Sequence, residues 1–139
     1  MTITIIMIDV TKQVRRLLEN NPNVVNLVGE NYFARGAQGD AKDPYILYHS
    51  ITFRTTPYGD RTEYYQVSAY AMDSVLANQV KDAIVETFNR LHNVVTGDGT
   101  VIKSCTLPDN MRPSTGYDEE TKMIGHHITI KLVFNDQSY

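Results

Sequence analysis

A chain of 139 residues, 42% apolar and 21% charged, has the length of one domain and the composition of an ordinary globular one. That excludes a disordered chain, a collagen-like fibre and a disulfide-stapled miniprotein. Thirteen Lys and Arg against sixteen Asp and Glu give a formal charge of −3, and Arg15-Arg16 is the sole adjacent basic pair. Tight DNA binding draws on counterion release at a basic patch, so the chain is not expected to grip DNA by itself.

The run Met1 to Ile8, MTITIIMI, is apolar at six positions. It is far shorter than the ~20 residues needed to span a bilayer, and it lacks the basic start and small-residue cleavage site of a signal peptide. It reads as a β-branched strand or an arm packing on a neighbour, and no membrane partner is expected. Asp9 is placed to cap a first helix in which Val10, Val14, Leu17 and Leu18 form one apolar stripe opposite Lys12, Arg15, Arg16 and Glu19. Asn20-Asn21-Pro22 should stop that helix, because proline lacks the amide donor and disfavours helix before it. Val24, Val25, Leu27 and Val28 come next as a short apolar turn ended by Gly29.

Gly36 to Asp43 is loop-like. Pro44 opens a strand, Tyr45 to Phe53, with Tyr45, Leu47, His49, Ile51 and Phe53 expected on one face. A loop, Arg54 to Arg61, joins it to a second strand from Thr62 to Met72, making a hairpin. Asp73 or Ser74 can cap a long helix whose stripe is Leu76, Val80, Ile84, Phe88 and Leu91, with Lys81, Asp82, Glu86 and Arg90 outside. A strand from Thr100 to Leu107, a long irregular stretch from Pro108 to Lys122, and a final strand from His126 to Phe134 complete the chain. In the last strand Ile128, Ile130, Leu132 and Phe134 alternate with Thr129 and Lys131. Strand pairs with intervening helices predict an α+β fold, a single domain over 1–139 with one largely antiparallel sheet and two main helices on one face.

Chemistry is sparse. His126 and His127 are neighbours on a strand and point to opposite faces, so they cannot chelate together. His49 and His92 have no ligand partner at metal-binding spacing, and no metal or cofactor is expected. Gly36 to Lys42 lacks the GxxxxGK[ST] spacing of a phosphate loop. Cys105, the one cysteine, reads as a small buried hydrophobe rather than a nucleophile. Asp118-Glu119-Glu120 could do acid–base work only in a pocket that shifts their pKa values; adjacent acids on a loop are ordinarily solvated. Ser104, Ser114 and the histidines carry no nucleophile–base signature. No catalytic residue is expected.

Two features remain. Nine tyrosines with no tryptophan is a skewed set, and Tyr64, Tyr65 and Tyr70 share one strand. Tyrosine combines a large apolar ring with a polar end, which suits interfaces. The two long loops, Arg54–Arg61 and Pro108–Lys122, are of the length that functional loops reach. The second has few apolar anchors and is expected to be mobile until a partner orders it. The candidate interface residues are therefore Tyr58, Tyr64, Tyr65, Tyr70, Met111, Tyr117, Asp118, Glu119 and Glu120. Self-association is expected through strand edges and the tyrosine-bearing strand.

The order LLENNPNVVNLVG (Leu17 to Gly29), Tyr32, Pro44-Tyr45, SAYAMD (Ser68 to Asp73), a long helix running to Leu91-His92, and a hydrophobic last strand resembles the tail-completion proteins of long-tailed bacteriophages. These are also called tail terminators or head–tail joining proteins, and the resemblance spans roughly Val10 to Phe134. It implies a non-enzymatic α+β subunit of a virion ring, commonly a hexamer, that caps the tail tube and joins it to the head. The implied partners are further copies of itself, the tail tube protein and the head connector protein, with DNA passing through without specific binding. The implied location is the tail end or head–tail junction of the virion, after assembly in the bacterial cytoplasm. Six copies at −3 each would carry −18, a charge that repels phosphate. The alternatives are a head-side connector (head–tail adaptor) and, from another class, a small nucleic-acid-processing enzyme using Asp118, Glu119 and a histidine.

Overall fold

The computed structural model describes residues 10–29, 32–34, 43–55, 60–89, 91–95, 101–107, 114–120 and 122–135. The elements are α1 (Val10–Glu19), α2 (Pro22–Val28), β1 (Tyr32–Ala34), β2 (Tyr45–Thr55), β3 (Asp60–Ala71), α3 (Ser74–Phe88), β4 (Leu91–Val95), β5 (Val101–Thr106), β6 (Ser114–Asp118) and β7 (Met123–Asn135). Met1 to Asp9, the Gly36–Lys42 segment, Tyr58 and Met111 lie outside the described residues.

The α1 stripe buries Val14 and Leu18 and half-buries Leu17, while Lys12, Arg15 and Glu19 face out. Pro22 ends α1 as expected, but the apolar run Val24 to Val28 forms a second helix rather than a turn. Proline occupies the first position of α2, where its missing amide has no intrahelical partner to lose. Asn21 caps that helix, its side-chain oxygen accepting from the Asn23 amide at 3.0 Å. The same carboxamide donates to Thr87 Oγ1 at 2.9 Å, to Ala83 O at 3.3 Å and to Glu86 Oε1 at 3.2 Å, tying the α1–α2 corner to α3. Asp73 caps α3 by accepting from Val75 N at 2.8 Å.

Within α3, Val80, Ile84 and Phe88 are buried as the stripe predicts, together with Ala77, Ala83 and Thr87, and Leu76 packs partly buried against them. The helix stops at Phe88. Asn89 is extended, and Leu91, expected as the last helical core residue, belongs instead to β4, where it pairs with Cys105. Its half-buried side chain still packs on the core. Cross-strand pairing there outweighs a helical repeat that needed one more turn.

The seven strands form one sheet in the order β1-β2-β3-β7-β5-β4, with β6 also on β7. All pairs are antiparallel except β1 with β2. The helices lie on one face, α3 over β3 and β7 and α1 over β2. Ile128, Ile130, Leu132 and Phe134 are buried beneath them with Ile46, Tyr48, Tyr65, Val67 and Ala69. The expected α+β class and largely antiparallel sheet are what the structure has.

Three local expectations are corrected. The first concerns Pro108 to Lys122, which is not irregular throughout, because Ser114–Asp118 is β6 and pairs with β7 from Ser114–His127 to Asp118–Met123. Asp118 Oδ1 accepts from Glu120 N at 2.9 Å in the turn, and Lys122 takes a left-handed φ of 62°. All five β6 side chains are exposed, so no apolar alternation marks the strand. The second is that β2 and β3 extend to Thr55 and Asp60, well into the stretch read as the Arg54–Arg61 loop. The third is a bulge between Ser50 and Thr52, which makes Ile51 an extra residue, 50% exposed, and shifts Phe53 into register with Glu63. The five-residue face therefore ends at His49.

Phe88 is fully buried at the end of the α3 stripe. Phe88→Ala should cost roughly 3–5 kcal/mol, a large share of a small domain's stability, read as a lowered denaturation midpoint in urea.

Candidate functional site

Because β3 and β7 alternate, the residues not turned to the helices collect on the opposite face of the sheet. Tyr64, Gln66, Ser68 and Tyr70 of β3 lie there beside Tyr45, Leu47 and His49 of β2 and Gly125, His127, Thr129 and Lys131 of β7. No described helix covers this face. Tyr45, Tyr70, Gly125 and Gly116 stand opposite one another in a row across four strands. The Tyr45 and Tyr70 rings stack, with centroids 5.0 Å apart and planes 17° apart, and Tyr70 meets His127 edge-on at 5.7 Å. A Cβ at Gly125 would sit 2.8 Å from Tyr70 Cε1. The glycine is what lets the tyrosine ring lie across the neighbouring strand.

Beneath the rings runs a polar chain. Ser68 Oγ is 2.8 Å from His127 Nδ1, and Gln66 Nε2 donates to Ser68 Oγ at 3.2 Å. With Gln66 donating to it, the serine hydroxyl is free to give its own proton to Nδ1, which suits a neutral imidazole. Burial, and then the nearby His49, lower the His127 pKa below its ordinary value. This is not a nucleophile–base pair open to substrate, since Ser68 is only 1% exposed. Burial raises the Tyr45 and Tyr70 phenols, and the Asp118 carboxylate adds to both. Asp118 and His127 line one small depression of about 220 Å³ with Tyr70 and Met123, whereas Glu119 is exposed in the turn.

On the helix side, His126 Nδ1 lies 2.9 Å from Thr115 Oγ1. Burial, then Lys81 and His127, lower its pKa, with Asp82 opposing. It borders an open groove of about 630 Å³ between the start of α3 and β6, lined also by Ser74, Asn78, Tyr117 and Ile124. The two adjacent histidines do face opposite ways, as strand geometry requires. Among the described residues no three His, Cys, Asp or Glu side chains gather as a metal site, and no helix is long and apolar enough to cross a membrane. Cys105 is fully buried, and burial pushes its thiol up to about 12; it is a core residue.

The expected interface residues separate in space. Tyr64 and Tyr70 lie half-buried on the open face, and Tyr117, Asp118, Glu119 and Glu120 are exposed on the β6–β7 hairpin. Tyr65 is 2% exposed and belongs to the core, because strand alternation turns it under the helices. The tyrosine-bearing strand β3 is central, paired by β2 and β7 along both sides, and offers no free edge. The sequence puts Tyr45 and His127 on strands but does not join them with Gln66, Ser68 and Gly125 as one group. Their grouping depends on register, and the one local signal was a glycine inside a strand.

This geometry predicts two outcomes. Gly125→Ala should displace the Tyr70 ring and cost about 1–3 kcal/mol, with the loss visible as changed tyrosine ring shifts by NMR. Since the folded pKa of His127 lies below the ordinary 6.5, its neutral form favours the fold fully above that value. Stability is lost as pH falls through the folded pKa, because the unfolded chain takes up the proton more readily. His126 acts in the same direction. Denaturation midpoints between pH 7 and 5 should therefore drop less steeply in His127→Gln than in the parent chain.

No protein-family model matches the chain, and no curated protein matches it. Among solved structures, a chain of the virion of native gene transfer agent (GTA) particle superposes with a TM-score of 0.65 at 11% sequence identity. The match covers 87% of this chain and 90% of that one. At that identity the likeness is one of fold: a helix-backed, largely antiparallel sheet that the two chains share over nearly their whole lengths.

Proposed function

We propose that the protein is a structural subunit of a phage-type virion, acting in a ring that caps the tail tube and joins it to the head. The observation that carries this reading is the fold shared with a chain of a gene transfer agent virion across nearly all of both chains. It agrees with the resemblance of the sequence to tail-completion proteins. Such a subunit works by presenting surfaces rather than by bond chemistry. Its partners are further copies of itself, the tail tube protein and the head connector protein, and its place is the head–tail junction.

The physical features support that role. The sheet is helix-backed on one side and displays a tyrosine-rich face on the other. The hairpin at its margin carries an exposed aromatic and three exposed acids. A ring of such subunits is net negative, which lets DNA pass without being held.

Disruption of the gene in a particle-producing strain tests the reading. Filled heads and complete tails should accumulate unjoined, and in the parent strain antibody against the protein should label purified particles at the junction. Joined, infectious particles from the disrupted strain would overturn it. Label at a head vertex whose tails never dock would assign the head-side connector instead.

A further inference from the structure

We infer that the outer edge of β6 and the groove beside it form a strand-accepting site, whose occupant is the Met1–Ile8 segment of a neighbouring copy of this chain. The inference deepens the ring reading, on which it rests for a neighbouring copy to be present.

The site has a backbone part and a side-chain part. Among the described residues β6 pairs only with β7, so the amides and carbonyls along its other side face outward and can take a further strand. Thr115 and Tyr117 stand opposite His126 and Ile124 and turn with them toward α3. Between them and Ser74 and Asn78, at the start of α3, lies the open groove of about 630 Å³. A strand laid on β6 would drop every second side chain into it. None of the described residues lining the groove is a Lys, Arg, Asp or Glu. Five large apolar side chains are exposed among the described residues, and three belong to this end of the subunit. Tyr117 lines the groove, and Met72 and Val75 flank Ser74 in the chain. Apolar groups gathered in this way mark a contact surface.

Met1 to Ile8, MTITIIMI, has the chemistry that fits. It carries no charged side chain, no Pro and no Gly, and six of its eight residues are β-branched. Ile3, Ile5 and Met7 fall on one side of an extended chain, with Thr2 and Thr4 on the other. The first three suit the groove, and the threonines suit the wetter open face. Of the segments outside the described residues, this is the one apolar β-branched run. Left bare, an uncharged run of that kind is an aggregation hazard, so it needs cover.

The reach of the chain points to a neighbour rather than to the same copy. With Ile3 to Met7 laid along β6, the chain from Met7 to Val10 spans at most about 11 Å. The helix α1 that begins at Val10 packs over β2, and β3 and β7 stand between β2 and β6. That separation is three strand spacings, roughly 14 Å.

Thiol cross-linking on the full-length chain tests this. The native Cys105 is fully buried, so introduced thiols report alone. One chain carries Thr4→Cys and a second carries Gly116→Cys, where a Cβ meets nothing within 4 Å. A third, the control, carries Ile51→Cys at an exposed position on β2. Under mild oxidation the first should link to the second at least about tenfold faster than to the third, because docking raises the effective concentration of the thiols. Rates are compared after scaling by each thiol's own reactivity with a small reagent. Two changes should each bring the fast rate down to the control rate: Asn78→Trp in the acceptor, which fills the groove from an exposed helix position, and Ile3→Asp with Ile5→Asp in the donor. An unchanged denaturation midpoint in urea shows that each variant is folded. Equal linking at positions 116 and 51, or linking indifferent to the tryptophan and the aspartates, would overturn the strand site. So would a chain bearing both Thr4→Cys and Gly116→Cys that links only within itself. Any of these leaves the ring reading standing, whereas particles that join normally without the protein overturn that reading whatever the thiols do.

Discussion

The antiparallel pairing of β3 with β7 organises the rest of the molecule. It runs unbroken from Asp60–Asn135 to Ala71–Ile124, and each strand is paired again on its outer side, β3 by β2 and β7 by β5 and β6. A one-residue slip of β7 against β3 would send Ile128 and Ile130 to the open face and bring His127, Thr129 and Lys131 beneath the helices. Burying that polar set without partners would cost several kcal/mol in all, so burial and hydrogen bonding select the same register.

The two faces that result do different work. Beneath the helices lies a continuous apolar layer closed by Val80, Ile84 and Phe88 of α3 and by Val14 and Leu18 of α1. The Asn21 carboxamide holds the helix layer together through Thr87, whose hydroxyl in turn donates to Ala83 O at 2.8 Å. On the opposite face the groups are aromatic and polar, bonded to one another and only half withdrawn from solvent. Groups of that kind tolerate both water and a protein partner, which an apolar face would not.

The hairpin at the margin belongs to neither layer. Its five strand residues are all exposed, so it is held by backbone bonds to β7, by the Thr115–His126 side-chain contact at 2.9 Å and by the Asx-type turn at Asp118. An element that contributes so little to the core yet displays Tyr117 and three acids is free to serve contacts outside the subunit.

The sequence by itself determined the elements that carry a strong period. The α1 stripe, the α3 stripe through Phe88, and the Ile128–Phe134 alternation are each legible because burial of one face imposes a repeat on the residues. The Asp73 cap and the core role of Cys105 are legible for similarly local reasons. Tertiary structure alone decided the rest. β6 has no buried face to leave a period, and β4 exists because Leu91 pairs with Cys105 instead of adding a helical turn. The Ser50–Thr52 bulge interrupts an alternation that looked continuous. The grouping of Tyr45, Tyr70, Gly125, Ser68 and His127 arises from the registers of three strands, and register is set by long-range pairing, which no local window contains. For the same reason Tyr64 and Tyr65, identical in the sequence, were sorted to opposite faces by one step along a strand.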